Sequence, residues 1–315
     1  MKSKIFNLII CLALVALGIV PVLAQKSKRE LQPRLKVFSF RAYQKDLTFV
    51  RVVDMSNGAV FRVYFDEGSQ KTAKESIQLL ASFYEQLARI LSVDAGEVDW
   101  SAVVFTQNKN YVPPRIGGEV RWTVRVDEAG RLGVEGLEDL YYLIPHEQVH
   151  AIQKTFVENL PRWFAEGQAE WGGLQVTERR QPKLSVKRRA DLASSILKAK
   201  QPLNLQGWGG VNVKPEAILR QVTPEQRERM AKDPNYSPPG PFKFNADDFI
   251  SDESNTLARY GAARNLFGSL EKSAGRAKMR ALFKEVWKNE KGLKTDELVS
   301  LALNHLGTDV SASLK

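Results

Sequence analysis

The chain has 315 residues, 43% of them hydrophobic and 26% charged, which is enough apolar content for a packed core and excludes a disordered or fibrous chain. Its one cysteine, Cys11, excludes a disulfide scaffold. Its net charge of +10 points to acidic partners such as phospholipid headgroups, anionic envelope polymer or acidic substrates. In chain order, 1–24 reads as a signal peptide. Lys2 and Lys4 precede an apolar run from Ile5 to Val20, and Val22-Leu23-Ala24 forms a small-residue cleavage site before Gln25. The run contains Gly18, is followed by Pro21, and is short for a retained span. Cleavage predicts a mature chain with no cysteine, no transmembrane segment and a charge of +8, because the segment carries two lysines and no acid. The expected location is the periplasm or the outside of a bacterial cell.

Phe49 to Met55 and Ala59 to Phe65 are β-rich runs around Ser56-Asn57-Gly58, a hairpin pattern. Ser69 is placed to cap a helix running to about Leu91, with Ile77, Leu80, Tyr84, Leu87 and Leu91 on one stripe. Ala102 to Thr106 predicts a buried strand. Val120, Trp122, Val124 and Val126 alternate along Glu119 to Val126, which predicts a half-buried strand, either interior or at a sheet edge.

A helix is expected from about Leu137. It carries His146-Glu147-Gln148-Val149-His150, an H-E-x-x-H motif that uses two of the three histidines in the chain. At i and i+4 both imidazoles project from one face and can reach one tetrahedral Zn²⁺, with Glu147 beside the metal to polarise a water. After a break at Glu158-Asn159-Leu160-Pro161, Pro161 to Trp171 predicts a second helix, with Pro161 suited to the first turn. A catalytic zinc with two histidines needs a third protein ligand, and Glu166 is separated from His150 by enough chain to turn and return. Glu170, one turn on, is placed to hold a ligand histidine through its other ring nitrogen. The alternative for both, a solvated helix face, sits poorly with Trp163, Phe164, Ala169 and Trp171 around them.

The rest reads mostly helical: about Ser185 to Lys198, Pro224 to Lys232, Asn255 to Leu270, Gly275 to Lys288 and Thr295 to His305. Gln206 to Gly210 and Ser237 to Pro241 are loops rich in glycine or proline. Arg179-Arg180 and Lys187-Arg188-Arg189 lack the interleaved aromatics of a nucleic-acid platform and read as solvated helix faces, so no nucleic-acid partner is expected. His305 reads as a helix-end histidine.

His146 to His150 followed by Trp163-Phe164-Ala165-Glu166-Gly167-Gln168-Ala169-Glu170-Trp171 resembles the gluzincin branch of the zinc metallopeptidases, specifically the bacterial peptidase MA-like proteins. The resemblance implies His146, His150 and Glu166 as zinc ligands and Glu147 as general base. Thr256 to Phe267 is similar to the family's Y-x-x-[GA] segment, which makes Tyr260 the position that inherits an oxyanion-donor role, or else a core or helix-surface tyrosine. The motifs cover about 137–175 and 254–285. Two positions depart from the family pattern: Gln148, where the family is apolar, and Pro145, which is expected to kink the active-site helix. The Gly-x-Met-Glu-Asn segment of the large aminopeptidases is absent.

The implied fold is α+β and zincin-like. An N-terminal α+β subdomain, 25–160, has a small mostly antiparallel sheet and the H-E-x-x-H helix. A mainly helical C-terminal subdomain, 161–315, brings the third ligand. The implied function is an exported zinc metallopeptidase acting on a peptide or protein substrate. A zincin-fold envelope protein that acts only as a binding module is the second reading, and hydrolysis of a non-peptide bond a third.

Overall fold

Apolar residues at every second position of 48–54 and 60–65 pair into the hairpin that begins the sheet. A computed structural model of the chain describes residues 34–41, 47–112, 119–199, 202–233, 236–251 and 255–315. The expected signal peptide and Cys11 lie outside these residues. The strands are β1 (Leu35–Arg41), β2 (Thr48–Asp54), β3 (Val60–Phe65), β4 (Ala102–Thr106) and β5 (Arg121–Arg125), side by side in that order. The β2–β3 turn closes through Gly58, whose φ of 75° a side chain would resist.

The sheet is mixed, which corrects the mostly antiparallel expectation. β1–β2 and β2–β3 are antiparallel, but β3–β4 and β4–β5 are parallel. For β3–β4 the cause is the crossover helix α1 (Gln70–Leu91), which returns the chain to the same end of the sheet before β4 begins. The apolar stripe of α1 is buried as expected, and Tyr84 stacks on Trp100 with ring centroids 4.6 Å apart. Ser69 stands at the N-cap position of α1 as expected, but its side chain makes no capping hydrogen bond. Asp66 accepts from the Ser69 backbone N–H instead, closing a 3₁₀ turn ahead of α1.

β5 lies at the sheet edge. Its outer side is closed at one end, where Asp139 Oδ2 accepts from the Arg125 N–H at 3.1 Å and Gly136 packs directly against the Arg125 carbonyl. The following elements are α2 (Val134–Glu138), a π turn (Asp139–Leu143), α3 (Ile144–Phe156), α4 (Arg162–Arg180) and α5 (Pro182–Lys198). Beyond them come β6 (Val211–Val213), α6 (Pro215–Leu219), α7 (Pro224–Lys232) and β7 (Phe249–Ser251), then α8 (Thr256–Ala274), α9 (Arg276–Val286) and α10 (Thr295–Leu306). β6 and β7 pair into a second, two-stranded sheet. One continuous apolar core runs from Val50 and Phe61 in the first sheet through Trp163, Phe164 and Trp171 of α4 to Phe267, Phe283 and Leu306. No described helix is long and apolar enough to cross a membrane.

Helix α4 is central because it is bare where it crosses its neighbours. A Cβ on Gly173 would stand 2.9 Å from the His146 backbone nitrogen, and one on Gly167 would stand 3.0 Å from Ala263 of α8. These two glycines let α3 and α8 approach α4 from different sides.

The two departures from the family pattern have structural answers. Pro145 falls in the first turn of α3, directly after the π turn. Lacking an N–H, it leaves the Tyr141 carbonyl without its helical donor, and the Thr177 hydroxyl of α4 donates there at 2.7 Å. Gln148 is fully buried and reaches the start of β4, where its Oε1 accepts from the Ser101 N–H at 3.1 Å and its Nε2 donates to the Ser101 carbonyl at 2.9 Å. A side-chain amide thereby pairs a backbone peptide and fixes α3 beneath the sheet. Gln148→Leu should cost about 2–3 kcal/mol, because the Ser101 donor and acceptor are left buried and unpaired. Urea unfolding checks this, and metal binding measured in the folded protein should be unaffected.

Candidate metal centre

α3 presents His146 and His150 one turn apart, and α4 crosses them with Glu166. His146 Nε2 lies 3.4 Å and His150 Nε2 3.2 Å from the same oxygen, Glu166 Oε2. These three side chains could hold a metal ion, their candidate donor atoms all lying within 4.8 Å of one another. Donors bound tetrahedrally at zinc-like bond lengths stand about 3.3 Å apart, so the spacing of Glu166 from each imidazole suits a shared ion. His146 is buried, whereas His150 and Glu166 are half-buried.

Each imidazole is oriented by a group on its far side. Gln153, one turn after His150 on α3, is buried, and its Nε2 donates to the Ala165 carbonyl and to Gln168 Oε1, both at 2.9 Å. A carbonyl only accepts, so the Gln153 amide nitrogen must face Ala165 and its Oε1 must face His150 Nδ1, 2.7 Å away. His150 therefore donates from Nδ1, which leaves Nε2 as the nitrogen turned toward Glu166. For His146, Glu170 Oε2 lies 3.3 Å from Nδ1, an ion-pair distance out of line for a hydrogen bond. A carboxylate there favours the proton on Nδ1 and again frees Nε2.

Glu170 is fully buried, not on a solvated face. Arg188 Nε donates to its Oε1 at 3.0 Å and the Tyr142 hydroxyl to its Oε2 at 2.8 Å. The Arg188 guanidinium also lies 4.6 Å from the centre of the Tyr142 ring. This corrects the reading of Lys187-Arg188-Arg189 as one solvated face: Lys187 is exposed, but Arg188 turns inward from α5 onto α4. Burial raises the Glu170 carboxyl, but His146 and Arg188 outweigh it and hold it down at about 2.

Glu147 is half-buried beside the triad and has no hydrogen-bond partner among the described residues. Burial pushes its carboxyl above the ordinary value, the two histidines pull it back in part, and Glu166 adds to the rise. Tyr260 on α8 faces the same place. Its ring centroid is 6.0 Å from that of His146 and 5.1 Å from that of Trp208, on which Arg162 sits at 5.0 Å. Burial, then the Glu166 charge, push the phenol up to about 12, so it stays a donor at neutral pH. His305, in the last turn of α10, makes no described contact with this group.

The arrangement thus brings His146, His150, Glu166, Glu170 and Tyr260 together, with Glu147 adjoining them on α3. Sequence reasoning missed Gln153, Tyr142 and Arg188. Only Gln153 left a signal, lying one turn from His150 on the same helix. No protein-family model matches the chain, and a search of curated proteins finds no match.

Without metal, burial lowers the His146 imidazole, but the Glu166 and Glu170 carboxylates more than offset it and raise it to about 9. A raised histidine stabilises the fold fully below its unfolded value of about 6.5 and loses that contribution as pH rises through the folded value. Metal-free protein should therefore lose on the order of 3 kcal/mol between pH 6.5 and 9.5. Metal-loaded protein, in which the proton is already displaced, should not lose it. Thermal unfolding across that range, with and without chelator, checks the difference.

Proposed function

We propose that this chain is an exported zinc-dependent metallopeptidase of the gluzincin type that hydrolyses peptide bonds. The observation that carries the reading is the approach of two imidazole nitrogens to one carboxylate oxygen, with an unpaired glutamate beside them and a tyrosine on the far side. Two neutral imidazoles and one carboxylate are the donor set of a hydrolytic zinc site, with a fourth position for water. Export rests on the signal-peptide pattern of the first 24 residues. On this reading the sheet, α3 and the helices beyond it form a zincin-like fold.

His146, His150 and Glu166 would hold the ion, which supplies Lewis acidity and an activated water when bound. Glu147 is placed to accept a proton from a water beside it and would return it to the leaving amine. Its burial, which raises its proton affinity, suits both halves of the task. The Tyr260 hydroxyl donates to the oxygen that gains charge as the carbonyl becomes tetrahedral. Arg188 and Tyr142 keep Glu170 charged and in place, so that His146 presents Nε2 rather than Nδ1.

Two substitutions test the reading on purified mature protein with zinc and a broad peptide library. Glu147→Gln should abolish cleavage while zinc stays bound at one ion per chain, because glutamine keeps the shape but cannot carry the proton. Cleavage near the wild-type rate would rule out the general-base role. Tyr260→Phe should lower kcat about 10²–10³-fold with little change in KM, the loss expected for one oxyanion donor. An unchanged kcat would remove Tyr260 from the mechanism. Full zinc occupancy with no cleavage of any peptide by the wild type would favour a binding module.

A further inference from the structure

On another face of α4 a second site is built from positive charge. Helices α4, α5, α8 and the start of α9 enclose an open groove of about 530 Å³, lined by Gln175, Arg189, Arg264, Asn265, Lys272 and Arg276 together with Trp171, Glu178 and Glu271. Two of its cations are neutralised within it: Arg189 pairs with Glu178 and Arg276 with Glu271, each at 2.6 Å. Arg264 and Lys272 have no carboxylate partner among the described residues, so the groove carries two uncompensated positive charges. Arg264 is half-buried and bonds only to the Asn265 side chain, at 3.1 Å. Burial, then Arg189, make its charged state less favourable than in water.

Three donors in the same walls are buried without an acceptor: Nε of Arg189, Nε of Arg264 and Nε2 of Gln175. A buried donor left unpaired costs about 1–3 kcal/mol. These donors lie just beneath the groove surface, and Arg264 Nε belongs to the same guanidinium that lacks a carboxylate partner.

We propose that this groove binds a phosphate group. The excess charge matches a dianion, and donors on three separate side chains suit a tetrahedral set of oxygens better than the flat pair of a carboxylate. The groove is roomy enough to take a phosphate carried on a larger molecule. Gln175, Asn265 and the rim of Trp171 offer that molecule polar contacts and a ring edge. Its source is either a soluble phosphorylated compound or a phospholipid headgroup. None of the candidate metal ligands lines the groove.

The test uses the full mature chain with inorganic phosphate, against chloride at equal ionic strength, read by calorimetry and by thermal shift. Phosphate should bind saturably to the wild type and raise its Tm. Arg264→Gln and Lys272→Gln should each weaken binding at least tenfold. Lys272 is exposed, so that variant should fold normally. Without phosphate, Arg264→Gln should be at least as stable as wild type, since it removes an unpaired charge. Absence of saturable binding, or binding undiminished in both variants, would overturn the proposal. Vesicles containing phosphatidic acid, whose headgroup is a phosphomonoester, compared with phosphatidylcholine alone, separate the sources: retention that is lost in Arg264→Gln assigns the headgroup, and phosphate binding without retention assigns a soluble compound.

Discussion

A carboxylate with no exposure to water, Glu170, sets the terms for everything around it. Left alone, such a group would take up a proton or force the helix to turn it outward. It stays charged because Arg188 arrives from α5, Tyr142 from the π turn and His146 from α3. Three separate elements are thereby tied to one side chain of α4. The rotation of α4 about its own axis follows, and with it the position of Glu166, one turn earlier on the same face. The candidate metal ligands are positioned by satisfying this buried charge.

The crossing of α3 and α4 shows the same economy. Gly173 lets the helices meet at backbone distance beside His146, and four residues on, the Thr177 hydroxyl reaches the carbonyl that Pro145 cannot serve. An unfavourable residue in one helix is answered by a small residue and a hydroxyl in the other. Gln148 answers on the opposite side of α3, where it pairs with the Ser101 peptide instead of packing as a hydrocarbon. Pro145 and Gln148, awkward in a buried helix taken alone, are here accommodated by hydrogen bonds of the frame that holds the histidines.

Much of this was legible because it is local. The i, i+4 histidine pair, the buried stripe of α1, the alternation of β5 and the apolar flanks of Glu166 each depend on residues within a turn or two. What escaped depends on distant partners. Alternation locates a strand but does not give its direction, so the parallel half of the sheet was hidden. β1 was missed because Val37, Phe38 and Phe40 place apolar side chains on both faces and erase the period. Arg188 was indistinguishable from Lys187 and Arg189 until α5 packed on α4. The inward turn of Arg188 onto Glu170 is a tertiary fact.

The two edges of the main sheet are unlike. At β5 the Arg125 amide is occupied by Asp139 and its carbonyl is covered by Gly136, so strand addition there stops at the plug. Among the described residues nothing pairs with the outer side of β1, and Val37, Phe38 and Phe40 are each about half exposed along it. An extended chain that joins this sheet by backbone pairing therefore finds its full-length template at β1.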